Sequence, residues 1–285
     1  MSTSTQMVNA WIFLNEDEPA GTSYNSPDSC YQTLIRNDVY QSVDILFICF
    51  GAVVPAADGT YTMQMGDASH PGGLTNQDYL QYVVRDARKN NPDIQIALTM
   101  GYGNGSGISQ IFPDPSNPDS KSADAFAANL VAFLKANGLN GLDLDWESPI
   151  SDDTTSAQFA TLINAVGAAF RKQPQKYYLT LSPAVATNLD AASVNEYVDF
   201  INLQLYSGFT FPADFPGMGI HAGLLAYGAK FESGYQTAEG AYTDNTHNYH
   251  YPVYTAWRLN SDNFAFEQAQ QKALHALVFA AATAA

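Results

Sequence analysis

Residues 140–147 read Asn140-Gly141-Leu142-Asp143-Leu144-Asp145-Trp146-Glu147. Along an extended chain side chains alternate between two faces, so Asp143, Asp145 and Glu147 point one way and Leu142, Leu144 and Trp146 the other. Random order of 28 acids in 285 residues would produce about 0.3 such triplets. A solvated surface strand would tolerate such a pattern, but this one carries apolar residues on its other face. The three carboxyls therefore enter a packed interior, where an unpaired charge is costly. Spaced roughly 6–7 Å along the strand, they cannot all ionise freely, so a proton is expected to be shared and the pKa of at least one raised. A carboxyl that keeps its proton near neutral pH is a candidate general acid. A hydrogen-bonded acid network without chemistry is the competing reading.

Working outward, this segment is the fourth of eight apolar or β-branched runs. They are Trp11–Leu14, Ile45–Phe50, Ile94–Met100, Leu142–Trp146, Tyr177–Leu181, Phe200–Tyr206, Leu224–Phe231 and Tyr251–Trp257. Amphipathic stretches at helical spacing lie between them, at Asn76–Asn91, Ser122–Asn137, Ser156–Lys172 and Phe264–Phe279. Strands that are apolar throughout indicate a parallel sheet covered by helices. Eight βα repeats point to a single α/β domain over residues 1–285, a (β/α)8 TIM barrel without an insertion domain, with an open doubly wound sheet as the alternative. The sixth βα unit is degenerate, because Ser207–His221 carries prolines and glycines where a helix would be needed. Loops following the strands are long (Ala52–Thr75, Tyr102–Lys121, Ser207–Ile220), whereas a loop preceding a strand, Asn137–Gly141, is short. In a barrel that asymmetry places the active site at the C-terminal face.

Composition narrows the function classes. A net charge of −16 opposes nucleic acid as a partner, since phosphate binding needs a basic face. No apolar run reaches the length of a membrane span, and Met1–Asn9 lacks the basic start and apolar middle of a signal peptide. The 16 Phe, 17 Tyr and 3 Trp leave aromatic faces available for sugar rings. Cys30 and Cys49, the only cysteines, exclude a four-cysteine zinc site and read best as buried thiols, a bridge between them being the alternative. Asp244, His247 and His250 have a spacing compatible with a metal but sit in a polar stretch read as a solvated loop. Neither a metal nor another cofactor is expected. Asp143-Leu-Asp145 also fits the D-x-D metal motif of some glycosyltransferases, though the basic residues a diphosphate requires are scarce. The glycine-rich loop Gly101–Gly107 lacks phosphate-loop spacing and reads as a cleft-side loop.

The acid stretch resembles the D-G-x-D-x-D-x-E signature of family 18 glycoside hydrolases, the chitinases and endo-β-N-acetylglucosaminidases, whose motif lies on the fourth strand of a (β/α)8 barrel. Asn140 stands where the family has its first Asp, a departure that bears on support of the acid network. Phe200–Ser207 is similar to the family's sixth strand. There Asn202, Gln204 and Tyr206 would share one face, and Ser207 replaces the usual Asp or Asn. Leu98–Gly103 is loosely similar to the third-strand S-x-G-G, which brings in Gly101 and Tyr102, and Trp257 resembles the tryptophan flooring the central sugar subsite. The resemblance implies retaining, substrate-assisted hydrolysis of β-1,4 bonds beside N-acetylglucosamine. In it Glu147 is the general acid and base, Asp145 and Tyr206 hold the substrate acetamido group, and Asp143 tunes Asp145. Trp257, Gln204, Asn202, Gly101 and Tyr102 would bind substrate. An endo-acting, monomeric, extracellular chitinase degrading chitin is the leading expectation. The alternatives are an endo-β-N-acetylglucosaminidase of N-glycans and a catalytically silent carbohydrate-binding barrel.

Overall fold

The computed structural model describes residues 6–15, 21–101, 103, 107–114 and 116–282. Its strands are β1 (Met7–Phe13), β2 (Ile45–Pro55), β3 (Tyr61–Met65), β4 (Ser69–His70), β5 (Leu74–Thr75), β6 (Gln95–Met100), β7 (Gly141–Trp146), β8 (Tyr178–Pro183), β9 (Phe200–Leu203), β10 (Leu225–Lys230) and β11 (Val253–Trp257). The helices are α1 (Cys30–Arg36), α2 (Asn76–Asn90), α3 (Ser120–Ala136), α4 (Ile150–Asp153), α5 (Ser156–Arg171), α6 (Ala191–Tyr197), α7 (Asp214–Gly217), α8 (Ala238–Asp244) and α9 (Phe264–Ala282). Strands are hydrogen-bonded in the order β1-β11-β10-β9-β8-β7-β6-β2-β3, and β1 also pairs with β2. Eight strands thus close into a (β/α)8 barrel, and β3 returns antiparallel along β2.

Each expected strand forms, and the differences in length have local causes. β1 begins earlier than the apolar run because Asn9, a polar residue inside the barrel sheet, is satisfied there. Its amide donates to Thr255 Oγ1 and its carbonyl oxygen accepts from Ile45 N–H. The stretch Ala52–Thr75, expected as a loop, is in part a hairpin: Gly51 to Pro55 pair with Met65 to Tyr61, and Val53, Met63 and Met65 bury the inner side. Glycine at 51 leaves room for Leu98, whose Cδ2 would stand 2.8 Å from an added Cβ. Conversely β9 stops at Leu203, short of Tyr206, because Gln204 turns away (φ −77°, ψ 63°) into a 3-10 turn at Leu205–Ser207.

Helix starts carry their sequence signals. Thr75 with Asp78, and Thr155 with Gln158, form reciprocal caps on α2 and α5, and Asp119 caps α3. The sixth unit holds only the four-residue α7, as its prolines and glycines require. Among the described residues no helix is long and apolar enough to cross a membrane. Cys30 and Cys49 are free and buried.

The chain forms two compact units. One contains the segments up to Cys49, Asp67–Ile96 and from Ala226 onward, with a core that includes Val8, Ile12, Leu34, Phe47, Leu80, Val83, Ala256 and Leu274. The other contains Phe50–Gly66 and Ala97–Leu225, with a core including Leu98, Leu130, Leu142, Leu144, Phe159, Leu162, Leu181 and Ile201.

Candidate active site

The acid site lies within the second unit, where β7 runs between β6 and β8. Register places Asp143 beside Thr99 on β6 and Thr180 on β8, and Asp145 beside Ser182. Neighbouring strands are about 5 Å apart, so same-face side chains at matched positions touch. Asp143, fully buried, accepts from Thr99 Oγ1 at 3.2 Å, from Thr180 Oγ1 at 2.7 Å and from Ser182 Oγ at 2.8 and 2.9 Å. Three hydroxyl donors around one carboxylate replace the water that burial removed and favour its anion.

One step further along the strand the environment changes. Asp145 is buried and receives a hydrogen bond from Gln204 Nε2 at 3.0 Å. The same nitrogen lies 2.8 Å from Glu147 Oε1 and 3.0 Å from the Ser182 carbonyl oxygen. Three acceptors around one nitrogen leave no alternative to an amide donor there. Burial pushes the Asp145 carboxyl well above the ordinary carboxylate range, the charges of Glu147 and Asp143 and a hydrogen bond with Glu147 add to this, and the Gln204 amide opposes it. The expectation that at least one of the three acids is raised thus falls on Asp145. Desolvation and like charge both act here, and both favour the protonated form of Asp145. Glu147, just past the strand end, is half-buried, the place from which a proton can be handed to a ligand.

The remaining predicted residues divide. Gln204 joins the acids as described. Asn202, expected to bind substrate, is instead fully buried and donates to Ser182 Oγ at 3.2 Å, so it orders the hydroxyl that holds Asp143. Tyr206 does not share the strand face of Asn202, because the strand has already ended; it is half-buried in the 3-10 turn. Gly101 is buried against Phe50, whose Cβ would stand 3.1 Å from an added Cβ, and its N–H donates to the Gly51 carbonyl. Tyr102 lies outside the described residues. Trp257 belongs to the other unit, at the end of β11, where it is half-buried, meets Trp11 edge-on at 6.0 Å and lies under the Arg258 guanidinium at 5.6 Å.

Asn140 does not deprive the acids of support. Its side chain donates to the Lys176 carbonyl at 3.2 Å, while the support of Asp143 comes from neighbouring strands. Sequence reading missed Thr180, which lies inside the fifth run, and Ser182, which lies one residue past its end at Leu181. Two hydroxyl residues two positions apart were the available signal. It also missed Thr210, which donates to the Ala184 and Pro183 carbonyls at 2.9 and 3.3 Å and pins the loop after β9.

The carboxyl ladder runs to the C-terminal end of the fourth barrel strand, the end at which (β/α)8 enzymes build their active sites. Residues 22–276 match Glycosyl hydrolases family 18, and the chain belongs to that family. Mouse (Mus musculus) chitotriosidase-1 is 29% identical over 170 residues, 54% of this chain and 34% of that protein. Chitinase C of Streptomyces lividans is 30% identical over 173 residues, 55% of this chain and 26% of that protein. The matches thus span about a third or less of the length of these curated relatives. Among solved structures, a class V chitinase from Nicotiana tobaccum has a TM-score of 0.67 at 14% identity, covering 95% of this chain and 99% of that one. Human YKL-39, a pseudo-chitinase with retained chitooligosaccharide binding, has a TM-score of 0.64 at 13% identity, covering 95% and 100%. At such identities these two show likeness of fold.

Proposed function

We propose that the protein is an endo-acting chitinase, a single catalytic domain that cleaves β-1,4 bonds beside N-acetylglucosamine with retention through substrate-assisted catalysis. The observation that carries this reading is the buried Asp145 beside the half-buried Glu147, with one Gln204 amide nitrogen donating to both. In the first step Glu147 donates its proton to the glycosidic oxygen while the substrate's acetamido oxygen attacks the anomeric carbon, and the carbon–oxygen bond to the leaving sugar breaks. Asp145 accepts the acetamido N–H and balances the positive charge of the oxazolinium ion, and Tyr206 donates to the acetamido oxygen. Glu147, now ionised, then takes a proton from water, whose oxygen opens the ring at the anomeric carbon and restores the original configuration. Asp143, surrounded by the hydroxyls of Thr99, Thr180 and Ser182, raises the cost of a negative charge on Asp145 until the ion forms.

Phe209 and Phe211 support a polymeric substrate. They are 71% and 60% exposed, an arrangement water disfavours, and flank the pinned Thr210 in the loop leading away from Gln204. Ring faces held there suit sugars of an extended chain beside the cleavage point. The test is Glu147→Gln: turnover of a β-1,4 N-acetylglucosamine hexamer is expected to fall roughly 10²–10⁴-fold with binding retained. Turnover near the unsubstituted rate would refute the assignment. Release of glycan from a high-mannose glycoprotein, with chitin oligomers untouched, would replace the chitinase reading by the N-glycan one.

A further inference from the structure

The β2–β3 hairpin is not needed to close the eight-stranded barrel, and a cavity of about 610 Å3 lies against its tip. The walls come from Thr60 and Tyr61 of the hairpin, Ser109, Gln110 and Phe112 after β6, and Ser122 in the first turn of α3. This volume falls in the usual range for a bound small ligand. We propose that the cavity is a second saccharide-binding site, separate from the acid ladder, that takes a neutral segment of an N-acetylated amino-sugar chain; the inference rests on the substrate reading given above.

Two observations point to that chemistry. The first is the lining: among the described residues that form it none is ionisable at neutral pH, in a protein with 28 acids and 12 bases. Among the described lining residues a phosphate or carboxylate ligand would find no cation, and the neighbouring Asp58 carboxylate is engaged by the Thr60 hydroxyl and N–H. Instead the hydroxyls of Thr60, Tyr61, Ser109 and Ser122 and the Gln110 amide alternate with apolar surface from Tyr61, Phe112 and neighbouring Ile111 and Pro113. Hydroxyl edges over apolar faces match a sugar ring, whereas a lipid would call for continuous apolar walls.

The second is preorganisation. The hairpin tip is closed by Ala56 N–H donating to the Thr60 carbonyl at 2.8 Å, with Gly59 at φ +81° making the turn. Asn129 of α3 then clamps the tip, donating to Thr60 Oγ1 at 2.8 Å and to the Tyr61 carbonyl at 2.9 Å. Opposite walls of the cavity are thereby tied together before any ligand arrives, which lowers the ordering cost of binding.

Calorimetry with the β-1,4 N-acetylglucosamine hexamer on the intact Glu147→Gln protein tests this. Two binding events per chain are expected, a tighter one at the acid site and a weaker one at the cavity. Adding Ser122→Trp, which fills the cavity, should abolish the weaker event while the tighter remains. Adding Tyr61→Ala, which enlarges it, should weaken that event about tenfold, the equivalent of about 1.4 kcal/mol. A single event before either change, or a weaker event that survives both, overturns the second site while leaving the chitinase reading intact. Absence of any binding overturns both.

Discussion

Asp145→Asn should cost activity and yet stabilise the fold, by an amount that grows with pH. Asparagine keeps the shape of the side chain: its oxygen still accepts from Gln204 Nε2, and its N–H2 can donate to Glu147, as the protonated acid does. What it removes is titration. Burial and the neighbouring carboxyls raise Asp145 in the folded protein, whereas in the unfolded chain it ionises near 3.9. A group raised in this way contributes fully below its unfolded pKa, and the contribution is lost as pH climbs through the folded value. Each tenfold displacement of the proton equilibrium between the two states is worth about 1.4 kcal/mol. Urea unfolding from pH 4 to pH 8 should therefore show a midpoint gain for Asp145→Asn that is small at pH 4 and largest at pH 8, with unchanged slope. In thermal melts each kcal/mol corresponds to roughly 2 °C for a chain of this size. A stability difference independent of pH, or one that turns unfavourable as pH rises, would mean that Asp145 is ionised in the native protein, and the raised Asp145 carboxyl would have to be abandoned.

Two further outcomes bear on the site. Ser182→Ala removes the hydroxyl that reaches both oxygens of Asp143 and accepts from Asn202 Nδ2. A loss of about 1–3 kcal/mol is expected, read as a lower urea midpoint, since buried groups left unpaired are penalised more than the net worth of a hydrogen bond. Phe209→Ala with Phe211→Ala should raise KM for polymeric chitin several-fold with kcat for a short oligomer held, and leave the melting temperature within about 2 °C, because both rings are exposed. An unaltered KM for the polymer would remove the aromatic platform from the proposal.

Much of the fold was legible because its signals are local. The run Ile45–Phe50 and the acid ladder report their own period, and Thr75 with Asp78 marks where α2 begins. The limits of legibility are equally physical. Asn9 breaks the apolar run of β1 because its partners, Thr255 and Ile45, are remote in sequence. Val53 to Met65 gave no hairpin reading, since antiparallel pairing depends on where two segments meet. Phe200–Tyr206 looks like one strand although Gln204 turns out of it.

By itself, the order of residues determined that three carboxyls share one face of a central strand, since alternation along an extended backbone involves nothing beyond adjacent residues. Only the tertiary structure decided what those carboxyls become. Thr180 and Ser182 reach Asp143 from 37 and 39 positions away, and Gln204 reaches Asp145 from 59. Register between strands brings hydroxyls to one acid and a second carboxyl to the next. A proton settles where desolvation and like charge are greatest, and both are properties of the folded surroundings.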